Sequence, residues 1–335
     1  MIHIKRNIFF GQVGIALKNK NFSLLTKAHI HYSVPPLSDK ITNDHGINQI
    51  GVIGAGQMGT GIAYVAANVA KLPVKIFDLD PRKADKAFSF IERLLEKAIT
   101  KERITPDQAT DTKSRIEIST SISDLSSADF IIEAVVEDIV TKRKIFSELN
   151  LLTDENTILA SNTSSIGITG IAAATKKPDK VIGMHFMNPV PIMRLVEIIP
   201  GLNTSEHTLN VTKKLARSMK KTYTISGDAP GFISNRLLMP YINEAVIILE
   251  QKVARRDDID ITMRLGTNTP MGPLALADLI GLDTCLSIMK VLHRELGDSK
   301  YRPAVLLQKY VDAGWLGKKT GRGFYNYEES QSYNK

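Results

Sequence analysis

Residues 49–80, QIGVIGAGQMGTGIAYVAANVAKLPVKIFDLD, constrain the fold more than any other stretch of the chain. An apolar run over residues 50–53 reads as a buried strand. Gly54, Gly56 and Gly59 follow in G-x-G-x-x-G spacing, and Ile62, Val65, Ala66 and Val69 then repeat at helical period. A second apolar run, residues 74–77, ends in Asp78, 19 residues beyond Gly59. Each part has a physical job. Gly54 permits the tight turn out of the strand, Gly56 lets a pyrophosphate approach the backbone, and Gly59 lets the helix pack close to the strand. The helix N-terminus offers unpaired N–H groups to phosphates. Asp78 can accept hydrogen bonds from both ribose hydroxyls of an adenosine. The glycine spacing alone would carry little weight. Set between a strand and a helix, with the acid at the end of the next strand, it predicts a dinucleotide site.

The alternation continues. Residues 81–97 mix apolar and charged positions at helical spacing, and residues 99–115 read as a continuation of that helix and a connection. Strands are expected at 116–118, at 128–136 running into Glu137, at 157–160, from 181 into MHFMNPVP, and at 195–199, with helices at 142–152 and 166–174. Strands alternating with helices imply an α/β fold, a Rossmann-type, doubly wound, mostly parallel sheet. Glu137, the SNTSS loop (161–165), and His185 with Asn188 stand at strand C-terminal ends, the edge where such sheets bind ligands. From Asp228 the strand signal stops. Leu237, Leu238, Tyr241, Ile242, Ala245 and Leu249 are spaced as in a helix, which Pro240 should kink or enter at the first turn. The expected organisation is a dinucleotide-binding domain over 46–227 and an all-helical C-terminal domain over 228–329.

Residues 1–38 contain no Asp or Glu and carry Lys5, Arg6, Lys18, Lys20 and Lys27 among apolar residues. That composition predicts a mitochondrial import segment over residues 1–45 and a location in the mitochondrial matrix. The net charge is +8, but Lys and Arg are scattered rather than clustered with aromatics, which argues against nucleic acid and suits an anionic, phosphate-bearing substrate. No apolar run approaches the roughly 20 residues needed to span a bilayer. The lone cysteine, Cys285, excludes an internal disulfide, fits a reducing compartment and lies in an apolar stretch as a small core residue.

His185 can take or give a proton near neutral pH and stands at a strand end on the cofactor side of the sheet. Glu197 follows 12 residues later inside the apolar strand LVEII, and an acid in a buried strand needs a partner. A hairpin-like return through Pro189 and Pro191 would bring it beside His185, where a carboxylate on one ring nitrogen leaves the other as the base. Ser164 and Asn235 supply neutral groups to hold a substrate oxygen. A satisfied core histidine is the alternative reading of His185. No His, Cys or Asp cluster has metal-ligand spacing, and there is no G-x-S-x-G elbow of a serine hydrolase.

VIGAGQMGTGIA, EAVVE, ASNTSSI, GMHFMNPVPIMRLVEII, PGFISNRLL, GPLALADLIGLD and GRGFYNY occur in one order over residues 49–327. Together they resemble the short-chain L-3-hydroxyacyl-CoA dehydrogenase family, 3-hydroxybutyryl-CoA dehydrogenases included. The resemblance implies NAD-dependent oxidation of (S)-3-hydroxyacyl-CoA to 3-oxoacyl-CoA, a step of fatty-acid β-oxidation. It also implies an acyl-CoA thioester substrate and a homodimer formed through the helical domain. At matching positions His185 is the base, Glu197 its orienting partner, and Ser164 and Asn235 hold the substrate oxygen. The NAD positions are Gly54, Ala55, Gly56, Gln57, Met58, Gly59, Asp78, Glu137, Lys142, Ser164, Asn188 and Lys319. Asp78 implies NAD over NADP, with Arg82 the one nearby cation to soften that preference. For the CoA moiety, a serine expected near Leu94 is absent and Lys101 stands in for a family lysine. A dehydrogenase of a small hydroxy acid or sugar acid would keep the same cofactor site and His/Glu pair. A non-enzymatic NAD-binding descendant would be expected to lose that pair.

Overall fold

The computed structural model describes residues 44–327. The predicted import segment therefore lies outside the described residues, apart from Asp44 and His45. Six short apolar runs form parallel strands: β1 (Ile50–Ile53), β2 (Val74–Phe77), β3 (Ile116–Ser119), β4 (Phe130–Glu133), β5 (Ile158–Ser161) and β6 (Val181–Phe186). Two more, β7 (Leu195–Pro200) and β8 (Thr222–Ile225), complete one eight-stranded sheet in the order β3-β2-β1-β4-β5-β6-β7-β8. β7 runs antiparallel to β6, and β8 runs parallel to β7.

The strands read as continuous apolar runs because helices cover both faces. Along β4, Phe130 and Ile132 join the core beneath α1 (Gln57–Asn68) and α2 (Pro81–Thr100), while Ile131 joins the opposite core with Phe146 and Leu149 of α4 (Ile139–Leu152). That is the two-residue period of a strand. α3 (Pro106–Ser114), α5 (Ile168–Ala172) and α6 (Glu206–Ser218) complete the layers. Beyond Ile225 the described chain holds no further strand, only isolated bridges near the tail. α7 (Ser234–Glu250), α8 (Arg256–Gly266), α9 (Pro273–Ile280), α10 (Leu282–Leu296) and α11 (Val305–Asp312) enclose their own core, which includes Val246, Leu274, Leu292 and Phe324.

Several sequence expectations shift. The strand expected over 128–136 covers only Phe130–Glu133, because the Val135 N–H turns back to the Glu133 carboxylate at 2.7 Å and bends the chain away. Residues 99–115 continue α2 only to Thr100, and the connection that follows holds a helix of its own. Glu102 adopts a positive φ of 53°, and a capping box on Thr105 and Gln108 starts the separate helix α3. Pro240 lies inside α7, beyond its first turn. α6 and β8 had no counterpart in the sequence reading. β8 is a half-exposed edge strand whose TYTI sequence lacks the apolar run of its neighbours.

Two buried carboxylates pin the tail. Asp278 accepts the N–H groups of Phe324 and Tyr325 at 2.9 Å each and the Tyr327 hydroxyl at 3.0 Å. Asp260 accepts the N–H groups of Leu274 and Ala275 and the Tyr325 hydroxyl at 2.8 Å.

Candidate active site

The glycine loop leaves β1 and enters α1, and its three glycines differ in what they need. Gly54 has a φ of +100°, and a Cβ there would lie 2.6 Å from the Ala134 carbonyl. A Cβ on Gly59 would collide with the Gly54 carbonyl. Both glycines serve the turn itself. At Gly56 a Cβ would meet no protein atom within 4 Å. No side chain caps the N-terminus of α1, and its first turn holds no acidic residue. An open backbone facing an uncapped helix N-terminus is a phosphate cradle, so these residues fit a dinucleotide. Asp78 closes the loop by accepting the Ala55 N–H at 2.8 Å and the Asp80 N–H at 2.9 Å. Arg82 is committed elsewhere, forking onto Asp80 at 2.9 and 3.0 Å. Ala55, Gly56 and Gln57 line a recess of about 260 Å³ with Lys86, Phe90 and Arg93 of α2.

The second group lies across the sheet. His185 is one residue inside the end of β6, not beyond it, and stands in register with Glu197 of antiparallel β7. Its Nδ1 lies 2.8 Å from Glu197 Oε2, with Glu197 only 1% exposed. The start of α7 encloses the same carboxylate. The N–H groups of Ile233 and Ser234 donate to Oε1 at 3.1 and 2.9 Å, and the Ser234 hydroxyl donates to Oε2 at 2.6 Å. Burial pushes this carboxyl up, but the hydrogen bonds from His185 and Ser234 outweigh it and hold its pKa below the ordinary glutamate value. The Phe232 ring lies 5.9 Å from the imidazole.

Asn235, next on α7, donates its amide to the Ser164 carbonyl at 3.0 Å. Ser164 belongs to the loop after β5, which Glu137 organises: its Oε1 accepts the N–H groups of Ser164 and Ser165 at 2.7 and 2.9 Å and the Thr163 hydroxyl at 2.7 Å. Asn162, in the same loop, accepts the Phe186 N–H at 2.9 Å and ties β5 to the end of β6. Glu137 and Ser164 line a cleft of about 910 Å³ against Asp283, Ser287 and Val291 of α10. The structure thus brings together His185, Glu197, Ser164, Asn235 and Glu137 at one edge.

The remaining sequence candidates are placed differently. Lys142 is fully buried, with its ammonium 2.7 Å from Glu133 and 3.6 Å from Glu137. Asn188 is exposed beyond β6 in a cis peptide with Pro189. Lys319 is exposed and holds both carboxylate oxygens of Asp283, which lines the cleft, at 2.6 Å. Lys101 is exposed at the C-cap of α2, eight residues and about 12 Å of helix beyond Arg93, the last α2 residue lining the recess at the glycine loop.

Two partners escaped the sequence reading: Glu133 and Ser234. Glu133 collects Lys142, the Val135 N–H and the Ser161 hydroxyl, the last at 2.6 Å. Its signal was present, since it is an acid inside an apolar strand, as Glu197 is.

A model of the 3-hydroxyacyl-CoA dehydrogenase NAD binding domain matches residues 49–229, and one of the 3-hydroxyacyl-CoA dehydrogenase C-terminal domain matches residues 231–327. The probable 3-hydroxybutyryl-CoA dehydrogenase of Bacillus subtilis is 53% identical over 286 residues, 85% of this chain and 99% of that one. The hydroxyacyl-coenzyme A dehydrogenase, mitochondrial, of Sus scrofa is 39% identical over 289 residues, 84% of this chain and 92% of that one. The crystal structure of (S)-3-hydroxybutyryl-CoA dehydrogenase from Ralstonia eutropha matches with a TM-score of 0.81 at 46% identity, over 84% of this chain and 99% of that one. Sheet, cofactor loop and helical region all fall within these matches, and the chain belongs to the 3-hydroxyacyl-CoA dehydrogenase family, NAD-dependent oxidoreductases acting on hydroxyacyl-CoA.

Proposed function

We propose that His185 is the general base of this dehydrogenase, that Glu197 orients it, and that short 3-hydroxyacyl-CoA thioesters of the hydroxybutyryl class are its substrates. The observation that carries the assignment is the 2.8 Å contact between His185 Nδ1 and a buried carboxylate, which leaves Nε2 for the substrate hydroxyl. NAD, when bound, supplies the hydride acceptor. Nε2 takes the proton of the 3-hydroxyl as C3 loses its hydride, and Glu197 stabilises the imidazolium that results. One N–H of Asn235 holds Ser164, and the other is available, with the Ser164 hydroxyl, to the substrate oxygen as charge builds on it. In the reverse direction His185 returns the proton as an acid.

The names of the B. subtilis and R. eutropha relatives support the four-carbon substrate. The cofactor contacts are residues 54–59, Asp78, Glu137, Ser164 and Asn188. Lys142 and Lys319 act through the carboxylates they hold, and Lys101 contributes to the CoA end. Residues 46–227 form the cofactor unit, and residues 228–329 form the helical substrate unit, which also pairs two copies into a homodimer. The acid-free basic stretch before Asp39 directs the chain to the mitochondrial matrix, and the family match begins only at residue 49.

NADH oxidation against a ladder of 3-oxoacyl-CoA esters tests the substrate reading, which predicts the highest kcat/KM for 3-oxobutyryl-CoA. His185→Gln should lower kcat about 10²- to 10⁴-fold. A folded variant with near-wild-type kcat would overturn the base assignment. A reporter fused to residues 1–45 that stayed diffuse in the cytosol would remove the import reading.

A further inference from the structure

We propose that Ser234 is a positioning residue of this site, whose hydroxyl sets how strongly Glu197 holds the imidazole of His185. The proposal rests on the reading of His185 as base. Glu197 Oε2 receives two donors, His185 Nδ1 at 2.8 Å and the Ser234 hydroxyl at 2.6 Å, so the hydroxyl and the ring share one oxygen. The other oxygen is filled by the backbone N–H groups of Ile233 and Ser234. Of the four donors, only the Ser234 hydroxyl can be removed without losing the ring or moving the backbone. It has no duty as a helix cap: the N-cap of α7 is Ile233, and the backbone N–H groups of Ile233 and Ser234 at that end are taken by Glu197 Oε1.

The hydroxyl therefore acts on the carboxylate alone. It draws negative charge from the oxygen that the imidazolium would use and holds Glu197 in place while the ring changes its charge. Its removal leaves Oε2 wholly to His185, which then binds its proton more tightly. His185 is the charged partner of Glu197, and its neighbours Phe232 and Asn235 are uncharged; Asp228 of the linker accepts the Ile168 and Thr169 N–H groups, and Arg236 of α7 is exposed. The same short segment carries Asn235 to Ser164, so the start of α7 fixes both the base and the oxygen-holding loop.

The test is an NMR titration of the His185 imidazole in the protein without substrate, for wild type and for Ser234→Ala, Ser234→Val and Ser234→Thr. The pH dependence of kcat/KM is recorded alongside. Ala and Val should raise the His185 midpoint by about half to one pH unit, a threefold to tenfold gain in proton affinity. The acid limb of kcat/KM should move with it, while the KM for NAD stays put. Thr restores the hydroxyl and should titrate like wild type, although it is isosteric with Val. An unmoved midpoint in folded Ala or Val protein overturns the proposal, and so does a Thr variant that shifts as far as Val. If His185→Gln proved active, the base reading would fall, yet the imidazole titration would still decide what Ser234 does.

Discussion

The Lys142 ammonium lies 2.7 Å from Glu133 Oε1, and both side chains are wholly excluded from solvent. A residue expected to touch cofactor is therefore first a buried counter-ion. Lys142→Met should cost about 3–5 kcal/mol, because it strands a buried carboxylate. Lys142→Met combined with Glu133→Gln should recover most of that loss. Urea unfolding of the two variants checks the order. A single variant as stable as wild type would show that Ser161 and the Val135 N–H satisfy Glu133 without the lysine.

The glycine loop separates ligand from packing. Gly56→Ala should leave thermal stability close to wild type and weaken NAD about tenfold or more, since the added methyl occupies open backbone surface. Gly59→Ala should instead destabilise the fold itself, because its Cβ meets the Gly54 carbonyl. Melting curves and NAD titration by fluorescence distinguish the two. Equal losses of stability would mean that Gly56 has no ligand role.

Asp78 places a carboxylate at the end of β2, and Arg82 is neutralised by Asp80. NAD should be preferred over NADP by more than about tenfold, or about 1.4 kcal/mol. Arg82→Ala should leave that ratio within about twofold. A large change in the ratio would show that the guanidinium reaches the ribose despite its partner.

His185 and Glu197 face each other in register and act as one unit. Glu197→Gln removes the charge that stabilises the imidazolium, so kcat should fall steeply while the KM for NAD changes little. The loss in His185→Gln with Glu197→Gln should be far less than the product of the two single losses. Multiplicative losses in steady-state kinetics would mean that the two side chains act independently.

Cys285 is fully buried, and burial pushes its thiol up to about 12. The thiolate fraction at pH 8 is therefore negligible, and iodoacetamide should leave the native protein unmodified for hours. Labelling should appear in urea, with mass spectrometry as the readout. Rapid labelling of folded protein would place the thiol at an opening the structure lacks.

The sheet was legible because its strands are apolar on both faces and alternate with helices, as at Ile50–Ile53 and Val74–Phe77. The antiparallel return was legible from one anomaly, the glutamate in LVEII. Glu133 presents the same anomaly, masked by an apolar run that continues to Val136. What the sequence could not display is where the carboxylates find their donors. Glu197 takes three of its four from residues 36 or 37 positions later and the fourth from the ring across the strand pair, and Glu137 reaches forward to Ser164 and Ser165. Contacts of that separation depend on how α7 and the loop after β5 are set against the sheet, which no local pattern encodes. β8 was missed for a related reason: an edge strand is held by its ladder to β7 more than by its own side chains.

The knot at the tail bears on how the protein is made. Asp260 and Asp278 are buried 46 or more residues before the backbone and hydroxyl donors that residues 324–327 bring to them. Strand pairing, by contrast, is complete at Ile225. During synthesis at about 5–20 residues per second, the sheet has all its partners several seconds before the helical region can seal its two acids. Until Phe324 emerges from the ribosome, Asp278 on α9 lacks its tail donors, Asp260 on α8 lacks the Tyr325 hydroxyl, and an apolar seat stays unfilled. A nascent chain stalled short of that point would therefore carry a finished sheet beside an unfinished bundle, and the bundle is the part a chaperone would find.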